Sequence, residues 1–286
     1  MRIPSNKVKD IIRFFEEELS KQYSASEIQV FIQYCFEAYS GILKHELVLK
    51  KNESVNESTL LKYAFAVKEL KANKPIQYII GVADFYGLKF KVNEDVLIPR
   101  QETEELVQLI INENNGGKPQ VLDIGTGSGC IAISLKKNIP HAKVSAYDIS
   151  PSALAVAKEN CDRNSLAVAF NQTDILTPQV DDKRVFDIIV SNPPYVREKE
   201  KQAMHLNVLN YEPSLALFVN DQNPLVYYKA IGEYALKHLT KEGVLYFEIS
   251  EYLGEETKQL LEKMGFSNIR IHKDLNGKNR ILRCKK

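Results

Sequence analysis

The sequence predicts an α/β protein: a doubly wound, mostly parallel sheet closed by a terminal antiparallel hairpin and preceded by a small helical domain. Three observations carry this. From Val121 onward, short apolar runs alternate with helical patterns; the residues before Lys74 show helical spacing only; and the chain ends in two strand-like runs around Asn276-Gly277. Parallel strands need crossover helices, so strict alternation of the two element types implies a sheet covered on both faces.

In the N-terminal part, Val8, Ile11, Ile12, Phe15 and Leu19 recur at helical spacing, as do Ile28, Phe31, Ile32, Cys35 and Phe36. Leu60, Leu61, Ala64, Val67 and Leu70 mark a third helix, and the polar run KKNESVNES between them marks a loop. Residues 75–99 read as a strand-rich connector, because Phe85, Tyr86, Gly87, Leu88, Phe90 and Val92 have hairpin composition. A helix from Glu102 to Glu113 follows, with acidic residues in the first turn, where the helix dipole favours them. The strands expected next are VLDI, VSAYD, VAF, FDIIVS and VLYFEI, with helices at Ser128–Lys136, Ser152–Cys161, Leu225–Leu239 and Glu255–Met264. The final IRIHKDLNGKNRILRC supplies an edge hairpin. No fixed period repeats along the chain.

Composition narrows the functional classes. The 286 residues suffice for one large and one small domain. Thirty-eight Lys and Arg against 37 Asp and Glu leave a formal net charge of +1, so there is no global field for holding a polyanion. No run approaches the roughly 18 apolar residues of a membrane span, and the charged N-terminus does not read as a leader, so a cytosolic protein without membrane attachment is expected. Cys35, Cys130, Cys161 and Cys284 form no Cys-x-x-Cys pair. Buried reduced thiols are expected there, with neither a disulfide nor a metal site.

The run Val121-Leu-Asp-Ile-Gly-Thr-Gly-Ser-Gly129 passes from a strand into a helix, with Gly125, Gly127 and Gly129 permitting a tight turn and close approach to a ligand. Taken alone it leaves a dinucleotide, nucleotide or methyl-donor site open. Two features favour the last: no Lys-Ser/Thr follows the final glycine, and the spacing G-T-G-S-G differs from G-x-G-x-x-G. Gly125, Thr126, Gly127, Ser128 and Gly129 are therefore cofactor-binding candidates. Asp148 ends the next strand about 20 residues on, where a carboxylate accepts the two hydroxyls of a ribose; its bland role is to cap the helix entered through Ser150-Pro151. Asp174 is a candidate acceptor for an adenine amino group, with the Ile175 amide meeting a ring nitrogen, although a loop Asp is also an ordinary turn residue.

Asp187-Ile-Ile-Val-Ser-Asn-Pro-Pro-Tyr195 is a buried strand that stops at two prolines whose fixed φ stiffens the loop. A planar NH₂ is a poor nucleophile because its lone pair is delocalised. Two fixed acceptors, the Asn192 side-chain oxygen and the Pro193 carbonyl, would each take one of its hydrogens, aim the nitrogen at a sulfonium methyl and stabilise the positive charge that develops. Asn192, Pro193 and Tyr195 are the catalytic candidates. With Pro194 they also form the substrate set, Tyr195 offering a stacking surface, and Asn192 adjoins the donor as well. The competing reading is a rigid turn capped by Asn.

These motifs, with Pro75-Ile-Gln-Tyr-Ile-Ile-Gly81, Phe85-Tyr-Gly-Leu88, Val96-Leu-Ile-Pro-Arg-Gln-Glu-Thr-Glu104, Tyr211-Glu-Pro-Ser-Leu-Ala-Leu217 and Asp274-Leu-Asn-Gly277, resemble the PrmC/HemK family of release-factor glutamine methyltransferases over nearly the whole chain. The resemblance implies a class I methyltransferase domain with a Rossmann-like seven-stranded sheet at 100–286, a β-hairpin linker at 75–99 and a helical substrate-recognition domain at 1–74. It also implies S-adenosyl-L-methionine as donor, S-adenosyl-L-homocysteine as product, and the N5 of the Gly-Gly-Gln glutamine of class I peptide chain release factors as acceptor. A monomer without direct nucleic-acid contact is expected. Gln101 stands where the family usually has Pro, and Ser214 where it often has Arg. Two rivals stay open: an adenine-N6 or guanine-N2 nucleic-acid methyltransferase, which the charge balance disfavours, and a cofactor-binding protein without catalysis, which has no use for two acceptors aimed at a nucleophile.

Overall fold

The computed structural model describes residues 3–114, 116–178 and 184–286; Met1 and Arg2 of the expected helical domain lie outside them. The chain divides into two compact units, one of residues 1–82 with 205–211, the other of 83–204 with 212–286.

The first unit is built on α1 (Val8–Leu19), α2 (Ala25–Ser40) and α3 (Glu57–Lys71). Ser24 starts α2 with a capping box, its hydroxyl accepting from the Glu27 amide while the Glu27 carboxylate takes the Ser24 amide. Asn56 caps α3 through Thr59 N. The apolar faces meet in a core of Ile11, Phe15, Ile32, Phe36, Tyr63 and Val67. The sequence reading needs one revision here, because residues 76–80 are helical (α4, Ile76–Ile80) where a strand-rich connector was expected. Helical winding lets Ile76 enter the same core, and Gly81, at φ 73°, ends the turn in a conformation glycine adopts without strain.

The hairpin β1 (Val82–Phe85) and β2 (Leu88–Lys91) turns through Tyr86 and Gly87, both at positive φ, as a two-residue hairpin loop requires. Phe85 and Phe90 pack edge-to-face at 6.0 Å and join the core of the second unit, so the hairpin is more than a tether. The chain continues with α5 (Gln101–Glu113), β3 (Gln120–Ile124), α6 (Cys130–Asn138), β4 (Lys143–Asp148), α7 (Pro151–Arg163), β5 (Ala169–Gln172), β6 (Phe186–Ser191) and the two-residue strand β7 (Val196–Arg197). The short helix α8 (Leu206–Tyr211) belongs to the first unit, where the Tyr211 hydroxyl donates to the Ala72 carbonyl. Then come α9 (Ser214–Leu217), β8 (Phe218–Val219), α10 (Val226–His238), β9 (Leu239–Glu248), α11 (Gly254–Met264), β10 (Ser267–Lys273) and β11 (Asn279–Lys285).

Seven strands form one sheet in the order β10-β11-β9-β6-β3-β4-β5, parallel from β9 to β5 and antiparallel at β10-β11-β9. The side-chain period of two sends Val121 to one core and Leu122 to the other, so β3 is buried on both faces. The terminal hairpin forms as expected, but its turn is organised by Asp274, whose carboxylate accepts the amides of Asn276 and Lys278 at 2.9 Å. The succession β3, β4, β5 grows away from the centre on one side, and β6 returns to the other side of β3. The carboxyl ends of β3 and β6 therefore flank the switch point at which open α/β sheets bind ligands.

Candidate functional site

Strand register brings the candidate residues together. Ile124 pairs with Ser191 on one side and Tyr147 on the other, and Ser191 pairs with Phe247. The next residue of each strand or loop, Gly125, Asn192, Asp148 and Glu248, therefore lies at one carboxyl edge. The Ser191 hydroxyl donates to the Ile124 carbonyl at 2.6 Å and ties the ends of β6 and β3 together.

The glycine-rich loop is held from three sides. The Gly125 and Thr126 amides donate to the Tyr147 carbonyl at 2.9 and 3.0 Å, and the Gly127 amide donates to Asp148 Oδ2 at 2.8 Å. From the third side, fully buried Asn160 on α7 donates to the Ser128 carbonyl at 2.9 Å and to the Lys91 carbonyl at 3.0 Å, while accepting the Lys91 amide. Thr126 Oγ1 donates to the wholly buried Asp123, whose carboxyl burial pushes up to about 7. Gly125 and Gly127 have positive φ, and a Cβ on either would meet nothing within 4 Å, so both peptides front open space. Gly129 differs: its Cβ would lie 2.9 Å from Ile133 Cδ1 and 3.2 Å from Ala157 Cβ, so this glycine permits close packing of α6 and α7.

That open space is a cavity of about 320 Å³, within the usual range for small-molecule sites. Its lining includes every expected loop residue but Gly129, together with Asp148, Asp174, Ile175, Asn192, Pro193 and Pro194. Asp148 Oδ1 accepts the Ser150 amide, so this residue serves the entry of α7 as well as fronting the cavity; burial raises its pKa, opposed by the Ser150 and Gly127 amides. Asp174 uses its oxygens on the Leu176 amide and the Thr177 hydroxyl, the turn geometry foreseen as its bland role, and still fronts the cavity.

Tyr195 is placed differently from the stacking surface expected of it. It is not among the residues lining this cavity; its hydroxyl donates to Glu248 Oε1 at 3.0 Å, and its ring packs against the buried cluster around Tyr228 and Phe247. Glu248 also accepts the Thr103 hydroxyl at 2.6 Å, and Thr103 Oγ1 is 3.3 Å from Asn192 Nδ2. Burial raises the Glu248 pKa, against which the Thr103 and Tyr195 hydroxyls and the Arg280 guanidinium act. Arg100 lines the cavity and pairs at 2.5 Å with Glu212, whose other oxygen takes the Ile98 amide. Thr103, Asn160, Glu212 and Glu248 carry no site role in the sequence analysis, although Thr103 and Glu212 lie within stretches quoted there for the family resemblance. A charge closing the apolar run VLYFE is a signal for Glu248; Thr103 sits inconspicuously in an acidic first turn.

A release factor glutamine methyltransferase of Flavobacterium psychrophilum is 47% identical to the chain, covering 94% of this chain and 95% of its own. The chain belongs to the release factor glutamine methyltransferase family. Its Streptococcus pneumoniae member is 40% identical over 96% of this chain and 97% of its own. Family models match as the PrmC N-terminal domain at residues 10–81 and the methyltransferase small domain at residues 101–212. The first span corresponds closely to the helical unit, and the second runs from α5 through the Asn192 loop to Glu212. Solved structures share the family's fold: a Pyrococcus furiosus methyltransferase (TM-score 0.51, 18% identity, 81% of this chain and 99% of that one) and a Thermus thermophilus 16S rRNA N2 G1207 methyltransferase complexed with AdoMet and guanosine (TM-score 0.52, 20% identity, 72% and 49%).

Proposed function

We propose that this chain transfers the methyl group of S-adenosyl-L-methionine to the side-chain amide nitrogen of the glutamine in the Gly-Gly-Gln motif of class I peptide chain release factors, in support of translation termination. The observation that carries the reading is the Asn192 carboxamide, set on a proline-stiffened loop beside the cavity with its nitrogen tied to Thr103.

The residues present suit such a donor. Gly125 and Gly127 leave open space where side chains would intrude, and Asp148 offers a carboxylate to a ribose at the depth of the glycine loop. Asp174 and the Ile175 amide are assigned to the adenine edge. The donor supplies an electrophilic methyl on a sulfonium sulfur.

The remaining work falls to the chain. The Asn192 oxygen and the Pro193 carbonyl accept the two hydrogens of the glutamine NH₂ and hold its nitrogen in line with the methyl, so the positive charge that grows on nitrogen forms between two fixed dipoles. The C–N bond forms as the C–S bond breaks, its electron pair staying on sulfur; the nitrogen then sheds one proton to water, and no general base is needed beforehand. Residues 1–74 are assigned to recognition of the release factor in the cytosol, by a monomeric enzyme.

Mass spectrometry tests this. Purified release factors, ribosomal proteins and nucleic acids are incubated with the protein and isotopically labelled donor. Label on the Gly-Gly-Gln glutamine is the expected result, and label confined to a nucleobase or to another protein would overturn the assignment.

A further inference from the structure

An acceptor role for Asn192 raises a question of direction. A carboxamide has a donor end and an acceptor end of nearly the same shape, and rotation by half a turn exchanges them. With NH₂ toward the cavity, the side chain would meet the substrate's own NH₂ donor to donor, and binding of the nucleophile would be lost. The loop backbone cannot distinguish the two orientations. Something beside the amide must.

The cavity wall supplies a one-way chain of hydrogen bonds. The wholly buried Glu248, when ionised, can only accept. Its Oε2 takes the hydroxyl hydrogen of Thr103 at 2.6 Å and its Oε1 that of Tyr195 at 3.0 Å. With its single hydrogen committed, Thr103 Oγ1 has only lone pairs left to offer, and the group it faces at 3.3 Å is Asn192 Nδ2. Among the described residues no other hydrogen bond holds this carboxamide. Thr103 is itself buried and fixed in the first turn of α5, and β9 and β6 run as neighbours with Phe247 paired to Ser191. Glu248 and Asn192 thus follow paired residues, with Thr103 between them.

We propose that Thr103 and Glu248 are positioning residues that fix the Asn192 carboxamide with its nitrogen toward Thr103 and its oxygen toward the substrate NH₂. This rests on the acceptor role assigned to Asn192 above. Thr103 acts through its lone pairs, Glu248 by fixing which way the Thr103 hydrogen points, and Tyr195 by occupying the second carboxylate oxygen. Neither Thr103 nor Glu248 has to touch the nucleophile.

Thr103→Val keeps the shape and removes the hydroxyl; Thr103→Ser restores it. The readouts are the single-turnover methylation rate with saturating donor, the donor Kd by calorimetry, and the thermal midpoint. Thr103→Val is expected to lose about tenfold or more in rate with donor Kd within about twofold of wild type, and Thr103→Ser to recover to within about threefold of wild type. In an Asn192→Ala background, Thr103→Val should change the residual rate by less than about twofold, since no amide remains to be oriented. An unchanged rate in Thr103→Val, a loss of donor affinity that accounts for the rate, or no recovery in Thr103→Ser would overturn the proposal. If Thr103→Val does not fold, Thr103→Ala is judged by the same rate, affinity and Ser comparison. Should the wild-type protein label an NH₂ other than the release-factor glutamine, the substrate assignment falls, and the orientation is then scored on the NH₂ that accepts the methyl.

Discussion

Asp148 accepts the Gly127 amide at 2.8 Å, so the carboxylate assigned to the ribose also shapes the glycine loop beside it. Its other oxygen takes the Ser150 amide at the entry of α7. One side chain thus ties the glycine loop after β3 to the entry of α7. Asp148→Ala should weaken donor binding about tenfold to about 150-fold, the loss of one charge-assisted hydrogen bond at roughly 1.5–3 kcal/mol. Calorimetric titration of the donor checks this, and undiminished affinity would remove Asp148 from the ribose.

Asn192 presents the complementary case. It is expected to touch mainly the reacting nitrogen, so Asn192→Ala should lower kcat by about 10² to 10³ while donor Kd stays within about twofold, as for removal of one preorganised transition-state partner. Rate and affinity measured on the same preparation decide it; an unaltered kcat would take Asn192 out of the mechanism.

Gly129 faces the helix core instead of the cavity. At φ 81°, with Ile133 Cδ1 2.9 Å and Ala157 Cβ 3.2 Å from where an added methyl would sit, Gly129→Ala combines backbone strain with overpacking. A loss of about 1–3 kcal/mol in unfolding free energy is expected by urea titration. Gly125→Ala meets nothing within 4 Å in the protein itself but shares the positive φ, at 74°, so it should carry the backbone strain without the overpacking and weaken donor binding in addition.

Asp123 gives a pH prediction. Its carboxyl is raised by burial from the ordinary 3.8 to about 7, so between those values the folded protein holds a proton that the unfolded chain has released. Stability from this group is fully present below about pH 4 and is lost as pH rises through about 7, at up to roughly 1.4 kcal/mol per pH unit. Asp123→Asn still accepts from Thr126 and has no charge to bury, so its stability relative to wild type should improve from pH 5 to pH 8. A difference independent of pH would contradict the shifted carboxyl.

Much of this was legible because the signals are local. G-T-G-S-G after an apolar strand, Asp148 at the end of the next strand, and Asn-Pro-Pro after FDIIVS each follow a strand into a loop, and parallel strands deliver their carboxyl ends to one edge. The short apolar run of β3 and the Asn276-Gly277 hairpin were likewise readable. Less visible was the helix at Ile76–Ile80, since the five residues Ile-Gln-Tyr-Ile-Ile are too few for a decisive period and only the core that receives Ile76 selects their winding.

The sequence by itself determined the alternation of the main strands and helices and the sheet class, and nominated residues for a donor and a planar NH₂, because each depends on spacing within a few turns of chain. Tertiary structure alone decided what orients them. Thr103 and Glu248 stand 145 positions apart, Arg100 and Glu212 112, and Lys91 and Asn160 69, and no local pattern couples such residues. Their pairing is imposed by sheet register and by the cost of leaving a buried polar group without a partner, both of which act only once the chain is folded.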